Sequence, residues 1–207
     1  MKNSKANVVV VTHCNRKCPR CCMSDMVRGQ PPHFVDPDVV FRDVEALGDV
    51  GEVIITGGEA TLHPEFLAVA ECARIARGDR LLSLFTNGAM VLRHQKALQF
   101  FDQIYMSVYS STSNAGTPTD WGLIKKIRAA CSQKVKLKLW HMIHKVGVGG
   151  HRPCVRLFDT VSVLEGRVYS CCVANGIAGA QSTELGPGWA KRLLRVPAPC
   201  ERCVFSK

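Results

Sequence analysis

The chain has 207 residues, of which 46% are hydrophobic and 11 are cysteines, and its formal net charge is +10. This length suits one sizeable core, or one main domain with a small appendage. Because no apolar run reaches the ~18 residues of a membrane span and the N-terminus lacks the apolar stretch of a secretory signal, we expect neither a membrane protein nor a secreted one. The cysteines then fit metal ligands in a reducing compartment better than disulfides, and we expect a cytoplasmic protein.

Predicted strands and helices alternate along the chain from residue 8 to residue 142. The strands are expected at residues 8–12, 52–56, 81–85, 103–108 and 135–142, and the helices at 36–48, 64–78, 93–101 and 120–131. Alternation of this kind is typical of an α/β protein with a parallel sheet. Five strands without a sixth unit predict a truncated, open (β/α)5-type partial TIM barrel, with its functional site at the carboxyl ends of the strands.

Three cysteines directly follow the first predicted strand: Cys14, Cys18 and Cys21, at spacings of four and three residues. Thiols at this spacing can converge on one cubane of four irons. Three thiolates leave the fourth iron open to an external ligand, whereas sites built for electron transfer normally close all four positions. The pair Cys18 and Cys21 is also half of a zinc knuckle, but the next such pair, Cys200 and Cys203, lies far downstream. The loop therefore indicates an iron–sulfur cluster that takes part in chemistry.

The spacing Cys14-x3-Cys18-x2-Cys21 after an apolar strand resembles the cluster loop of radical S-adenosylmethionine (radical SAM) enzymes. The resemblance implies a [4Fe–4S] cluster whose open iron holds the amino and carboxylate groups of S-adenosylmethionine (SAM). It also implies that an electron from an external donor, such as flavodoxin or ferredoxin, cleaves SAM to a 5′-deoxyadenosyl radical that takes hydrogen from an organic substrate. The family commonly has an aromatic residue before the third cysteine, where this chain has Arg20, so the contacts to the adenine stay open.

Residues for binding SAM are implied at the ends of the next three strands. Gly57-Gly58-Glu59 after the second strand resembles the Gly-Gly-Glu segment of the family. A backbone without side chains lets a ligand approach closely, and the carbonyls or the glutamate can accept hydrogen bonds from the methionine ammonium. Thr86 and Asn87 after the third strand, and Ser107 near the end of the fourth, match places where family members hold the carboxylate and ribose of SAM.

Three further side chains are expected at the mouth of the barrel. Tyr109 follows the fourth predicted strand, and His141 and His144 lie near the end of the fifth. Their ionisable groups make them candidates for substrate contact or proton transfer. For each histidine the alternative is an ordinary packed side chain.

A second set of cysteines lies beyond residue 150 and resembles the single-cluster auxiliary domain, often called twitch, of some radical SAM enzymes. Residues 161–170 predict a β-hairpin, which would bring Cys154 and Cys171 together. Cys200 and Cys203 would complete four thiolates around a second [4Fe–4S] cluster. With every iron closed, such a cluster transfers electrons and does not bind substrate.

The second set also fits a structural zinc ion, since four cysteines suit that metal as well. Cys172 is adjacent to Cys171 and could replace it as a ligand. We therefore expect two domains, a radical SAM partial barrel at residues 1–148 and a small auxiliary-cluster domain containing the hairpin at residues 149–207.

The positive charge is uneven, and it bears on the substrate. Residues 121–158 contain nine Lys or Arg and no Asp or Glu. An anionic substrate is one explanation of this bias, and a solvated face is the commoner one. We favour a nucleotide or nucleic-acid-linked substrate over a sugar-like metabolite or a peptide. Oxidation, isomerisation and bond cleavage all stay open as the net reaction.

The competing class is a non-catalytic protein that uses an iron–sulfur cluster or zinc to carry electrons or bind nucleic acid. Gly57-Gly58-Glu59 favours the enzyme. An electron carrier has no use for a cofactor site beside an open iron.

Overall fold

The computed structural model describes residues 4–18, 21, 23, 27, 31–109, 118–141, 160–169 and 181–193. Its strands are β1 (Lys5–Val11), β2 (Glu52–Gly57), β3 (Leu81–Thr86), β4 (Gln103–Val108), β5 (Lys136–His141), β6 (Thr160–Leu164), β7 (Arg167–Tyr169) and β8 (Thr183–Glu184). Its α-helices are α1 (Pro37–Ala46), α2 (Phe66–Ala76), α3 (Gln95–Leu98), α4 (Trp121–Ala130) and α5 (Trp189–Leu193). Short 3₁₀ turns lie at Ala60–Leu62 and Val91–His94. None of the described helices is long and apolar enough to span a membrane.

The described strands form one open sheet in the order β5-β4-β3-β2-β1-β6-β7-β8. All neighbours from β5 to β6 are parallel, whereas β7 and β8 add antiparallel pairs at the far edge. Because β5 and β8 lie at opposite edges, these strands do not close into a barrel. The predicted α/β fold with an open, mostly parallel sheet is therefore confirmed.

The hairpin predicted within residues 161–170 is present as β6 and β7, and it turns at Glu165-Gly166 as expected. Both turn residues have positive φ angles, 46° at Glu165 and 73° at Gly166, the conformation that two-residue hairpin turns of the mirror-image type require. The first strand of the hairpin also pairs in parallel with β1. The parallel part of the sheet thus has a sixth strand that the pattern of helices and strands did not reveal.

The hairpin turn is bound to the rest of the molecule through two side chains. The Gly166 amide donates to Asp43 of α1, at 2.9 Å to Oδ1 and 3.1 Å to Oδ2. His33 Nε2 lies 2.7 Å from Glu165 Oε1. These contacts attach the turn to α1 and to the segment that precedes it.

Alternate residues of the strands face the helices and form the hydrophobic core. Buried members of this core include Val8 of β1, Ile55 of β2, Leu84 of β3, Ile104 of β4, Val44 of α1 and Phe66 of α2. Burying a side chain of this size stabilises the fold by about 1.5–3 kcal/mol. The core holds the helices against one face of the sheet and leaves the other face for polar groups.

The opposite face of the sheet is polar near the amino ends of the strands. Glu52, at the start of β2, is 6% exposed and accepts hydrogen bonds from Ser83 Oγ at 2.6 Å and the Tyr105 hydroxyl at 3.0 Å. It also forms an ion pair with Lys5, with Nζ 2.9 Å from Oε2. Burial acts to raise the pKa of Glu52, but the hydrogen bonds from Ser83 and Lys5 outweigh it, and the pKa is lowered. On the same face, Lys138 Nζ lies 5.1 Å from the centroid of the Tyr105 ring.

The helix boundaries follow local signals at some places and not at others. Asp36 caps α1 by accepting from the Asp38 amide at 2.8 Å, and Asp120 caps α4 by accepting from the Gly122 amide at 2.9 Å. The helix predicted at 93–101 is instead divided between the second 3₁₀ turn and the short helix α3. That segment has no capping side chain at its start, and its predicted extent rested on periodicity alone.

Candidate functional site

The cysteine loop (residues 12–18 and Cys21) follows β1 at the carboxyl edge of the sheet. The Thr12 amide donates to the His33 carbonyl at 3.0 Å, and the His33 amide donates to Thr12 Oγ1 at 3.0 Å. Cys14 and Cys21 are partly exposed, Cys18 is buried, and all three are free thiols. The structure therefore places these predicted cluster ligands on one loop, at the edge of the sheet where a site was expected.

The Gly-Gly segment after β2 lies directly against the cysteine loop. The Gly58 amide donates to the Val11 carbonyl at 2.9 Å, and the Glu59 amide donates to the His13 carbonyl at 2.8 Å. A Cβ atom at Gly58 would lie 2.3 Å from the His13 carbonyl oxygen, and one at Gly57 would lie 2.4 Å from that of Val11. Because no side chain fits at such distances, glycine is required at both positions.

Glu59 connects the loop after β2 to the loop after β3. Its side chain is buried, and Oε1 accepts from the Thr61 amide at 3.1 Å and the Thr61 hydroxyl at 2.5 Å. The same oxygen accepts from Thr86 Oγ1 at 2.6 Å, and Oε2 accepts from the Asn87 amide at 2.6 Å. Thr86 and Asn87, both predicted to contact SAM, are thereby fixed relative to the Gly-Gly segment.

Asn87 reaches from the loop after β3 back to the cysteine loop. Its Nδ2 donates to Asn15 Oδ1 at 2.8 Å and lies 3.9 Å from Cys14 Sγ, while the Arg16 amide donates to the same sulfur at 3.4 Å. Burial is the largest of the effects that raise the pKa of Cys14, which lies at about 11. The free thiol is thus protonated at neutral pH, and cluster assembly must release that proton.

Tyr109 and Ser107 extend the site from the end of β4. Tyr109 is buried and packs against Cys18, and the Arg16 guanidinium carbon lies 4.0 Å from the centroid of its ring. Burial raises the pKa of Tyr109 and so does the nearby Cys18, whereas the hydrogen bond with Ser107 and the charge of Arg16 act in the opposite direction. The phenol therefore stays protonated at neutral pH.

The donor set of the cysteine loop fits a cubane better than a single metal ion. Across the described parts of the chain, no three Cys, His, Asp or Glu side chains lie close enough together to hold one ion. Cys18 and Cys21 nevertheless influence Cys14 electrostatically, so the three thiols share one neighbourhood. Each thiolate of a cubane binds a different iron, so cluster ligands stand farther apart than the ligands of one ion. Soft thiolates are also the ligands that iron–sulfur clusters select.

Several predicted site residues lie outside the described residues, namely Cys154, Cys171, Cys200, Cys203 and His144. His141 is the last residue of β5, where its backbone pairs with that of Val108. The roles predicted for these residues stay predictions.

Two residues of the site were missed by the sequence analysis. Arg16 offered a signal, because a positive charge between the first two cysteines of a cluster loop lies close to any bound cluster. Thr61 offered none, since its contacts with Glu59 depend on the 3₁₀ turn that begins between them.

The family model of the radical SAM superfamily matches residues 8–161. This range includes the cysteine loop, the Gly-Gly segment and the strands β2 to β5.

Among curated proteins, the similarity is local. A GTP 3′,8-cyclase of Mannheimia succiniciproducens is 38% identical over 81 residues, which are 36% of this chain and 23% of that protein. A GTP 3′,8-cyclase of Actinobacillus pleuropneumoniae is 36% identical over 80 residues, with the same shares of the two chains. The match thus spans less than a quarter of the length of these relatives.

Solved structures share the fold over most of the chain. BtrN in complex with AdoMet and 2-DOIA has a TM-score of 0.65 at 17% identity, covering 92% of this chain and 81% of that one. The enzyme anSMEcpe with bound AdoMet has a TM-score of 0.58 at 14% identity, covering 98% of this chain and 83% of that one. At such low identity these similarities concern the fold alone.

Proposed function

Since this chain belongs to the radical SAM superfamily, we propose that it cleaves S-adenosylmethionine reductively and takes hydrogen from an anionic organic substrate. When bound, the cluster and SAM supply the 5′-deoxyadenosyl radical, and the protein positions the reactants and excludes water. The electron comes from an external carrier such as flavodoxin or ferredoxin in the cytoplasm.

The observation that carries this proposal is the contact between the cysteine loop and the Gly-Gly segment. Cys14, Cys18 and Cys21 hold three irons, which leaves the fourth iron open. The backbone bond from Gly58 to Val11 and the bond from Glu59 to His13 bring the Gly-Gly segment to the same loop. A ligand on the open iron is thereby within reach of backbone carbonyls that can accept from its ammonium group.

The cofactor residues divide into those that touch SAM and one that holds them. Four hydrogen bonds from Thr61, Thr86 and Asn87 fill the carboxylate of Glu59, which offers about four lone-pair sites. We therefore assign the ammonium contact to the carbonyls of Gly57-Gly58 and a supporting role to Glu59. Thr86, Asn87 and Ser107 lie at strand ends around the same place and contact the carboxylate and ribose of SAM.

The lysines of β5 support an anionic substrate. Lys136 and Lys138 are exposed, and Lys138 lies over the same face of Tyr105 that Lys5 approaches, with Nζ of Lys5 5.8 Å from the ring centroid. Strand β5 forms one edge of the sheet, so a ligand can reach these side chains. The local similarity to GTP 3′,8-cyclases makes a nucleotide, or a nucleic-acid-linked group, the leading substrate class.

Tyr109, His141 and His144 are the proposed groups for proton transfer or substrate contact. Because its pKa is raised, Tyr109 acts as a donor of a hydrogen bond or a proton at neutral pH. His141 ends β5 next to Val108, at the same edge of the sheet as the cysteine loop.

A second [4Fe–4S] cluster on Cys154, Cys171, Cys200 and Cys203 is part of the proposal. Support comes from the β6–β7 hairpin, which forms where the predicted auxiliary domain requires one. An auxiliary cluster that accepts an electron from the substrate would make the net reaction a two-electron oxidation.

The test of the reaction is cleavage of SAM by the anaerobically reconstituted protein with dithionite as reductant. We expect 5′-deoxyadenosine and methionine from the native chain and neither product from Cys18→Ala, which removes a cluster ligand. The matched control is Cys72→Ala, since Cys72 is a free cysteine on α2, away from the loop. S-adenosylhomocysteine as the main product would contradict the proposal, because it indicates methyl transfer.

The substrate class is tested by equilibrium binding of nucleoside triphosphates and of the corresponding nucleosides. A lysine that pairs with phosphate contributes about 1.5–3 kcal/mol, so Lys138→Gln should weaken triphosphate binding by about tenfold or more. Lys191→Gln on the distant helix α5 is the control with the same loss of charge. Equal binding by the nucleosides, or equal loss in both variants, would refute the phosphate contact.

A further inference from the structure

Arg16 is a charged side chain placed on a buried aromatic ring inside the cysteine loop. Its guanidinium carbon lies 4.0 Å from the centroid of Tyr109, which is 7% exposed and packs against Cys18. A guanidinium at this distance over an aromatic face is attracted by the π electrons of the ring. The positive charge of Arg16 is thus stored beside the thiols that bind the cluster.

Both ends of Arg16 are fixed by contacts with the site. Its backbone amide donates to Cys14 Sγ at 3.4 Å, and its guanidinium rests on Tyr109. Tyr109 is itself held, because its amide donates to Thr119 Oγ1 at 2.9 Å and its carbonyl accepts from the Thr119 amide at 3.0 Å. Its side chain also shares a hydrogen bond with Ser107. The aromatic support is therefore anchored to the end of β4, independently of the cysteine loop.

We propose that Arg16 raises the reduction potential of the cluster bound by Cys14, Cys18 and Cys21, and that Tyr109 is the positioning residue that keeps the guanidinium there. The inference rests on the proposed function, since it requires a cluster on these cysteines.

The physical reason is the charge that reduction adds. One electron from a low-potential donor enters the oxidised cluster, no atom is transferred, and the net charge with three thiolates changes from one negative to two. A fixed positive charge stabilises the more negative state by more, and its effect is large where water is excluded. Arg keeps its charge at every accessible pH and stacks on rings better than Lys does.

Lys17 provides a matched comparison within the same loop. It carries the same charge and is adjacent in sequence, but its side chain is exposed. The field of an exposed charge is screened by water and salt. Removal of Lys17 should therefore affect the cluster much less than removal of Arg16.

The test is an anaerobic redox titration of the full-length holoprotein, monitored by the electron paramagnetic resonance signal that changes when SAM is added. At a fixed poised potential, Arg16→Met should lower the ratio of reduced to oxidised cluster by about tenfold, which is about 59 mV for a one-electron couple. Lys17→Met should change that ratio by less than about twofold. Tyr109→Leu should shift it in the same direction as Arg16→Met, while Tyr109→Phe, which keeps the ring, should not.

Equal effects of Arg16→Met and Lys17→Met, or an unchanged ratio in Arg16→Met at native iron content, would overturn the inference. If Arg16→Met does not assemble a cluster, the pair Tyr109→Leu and Tyr109→Phe decides, since equal potentials in these two variants also overturn it. A native chain without any SAM-sensitive signal would instead refute the proposed function. The two failures are thus distinguishable.

Discussion

The two ends of strand β2 each bury a glutamate, but the two carboxylates are satisfied differently. Glu52, at the amino end, is paired with Lys5 and accepts from two hydroxyls. Glu59, just past the carboxyl end, accepts from two hydroxyls and two backbone amides. Glu52 therefore joins side chains within the sheet, whereas Glu59 fixes the positions of loops. We conclude that losing the first carboxylate affects stability, and losing the second affects stability and the site together.

The largest effect is expected from Glu59→Ala. It leaves the hydroxyls of Thr61 and Thr86 and the Asn87 amide without their acceptor, at about 1–3 kcal/mol for each buried group. We expect the free energy of unfolding to fall by at least about 3 kcal/mol and SAM binding to weaken by about tenfold or more. Urea unfolding under nitrogen and titration of the cluster signal with SAM measure the two effects.

Glu71→Ala is the control for this prediction, because Glu71 is exposed on helix α2. It should leave both quantities unchanged. Native SAM affinity in Glu59→Ala would show that the loops do not depend on this carboxylate.

A smaller effect is expected from Glu52→Gln at the other end of the strand. The amide keeps one acceptor oxygen but loses the ion pair with Lys5, whose side chain is 41% exposed. A partly exposed pair contributes up to about 1 kcal/mol, and an unsatisfied hydroxyl costs about 1–3 kcal/mol. The free energy of unfolding should fall by about 2 kcal/mol, with SAM binding unchanged. Weakened SAM binding in this variant would erase the distinction between the two ends.

Strand β3 allows the same comparison with single hydroxyl groups. Ser83 donates to Glu52 and Thr86 donates to Glu59, each at 2.6 Å. Ser83→Ala and Thr86→Val should each lower the free energy of unfolding by about 1–2 kcal/mol, but only Thr86→Val should weaken SAM binding. Thr86→Ser keeps the hydroxyl and serves as the control. Equal SAM affinities in all three variants would contradict the role assigned to the Glu59 contacts.

The smallest effect concerns Asp43, whose pKa burial raises from 3.8 to about 6. The folded state then binds this proton more tightly than the unfolded chain, so stability falls as pH rises from about 4 to about 6 and is level above that. Glu52 has the opposite sign, because its pKa is lowered and its contribution is lost only as pH falls below the ordinary range.

Asp43→Asn should remove the part of the pH dependence that lies below about pH 6. The measurement is the thermal midpoint of the holoprotein at several pH values between about 5 and 7, with the exposed Glu45→Gln on α1 as control. A native slope in Asp43→Asn would assign the pH dependence to another group.

Local features of the fold were predictable because they depend on neighbours in sequence. Asp36 and Asp120 cap helices that start where the sequence indicated, and Glu165-Gly166 forms the expected turn. Each of these signals is complete within a few residues, so no knowledge of the sheet is needed to use it.

The contacts that assemble the site were not predictable, because they join distant segments. Thr86 donates to Glu59 across 27 residues, and Asn87 donates to Asn15 across 72. Such pairs follow from the order of strands in the sheet, which a single sequence does not encode in any short pattern. The stacking of Arg16 on Tyr109 belongs to the same class.

Strand β1 lies between β2 and β6, although β6 is formed by Thr160–Leu164, more than half the chain later. On the ribosome, residues emerge at about 5–20 per second, so β1 waits roughly 5–20 s for its second neighbour after β2 is available. During that interval its apolar edge is unpaired, and such edges pair readily with other chains. The yield of folded protein during biosynthesis therefore depends on whether residues 160–164 emerge before another nascent chain occupies that edge.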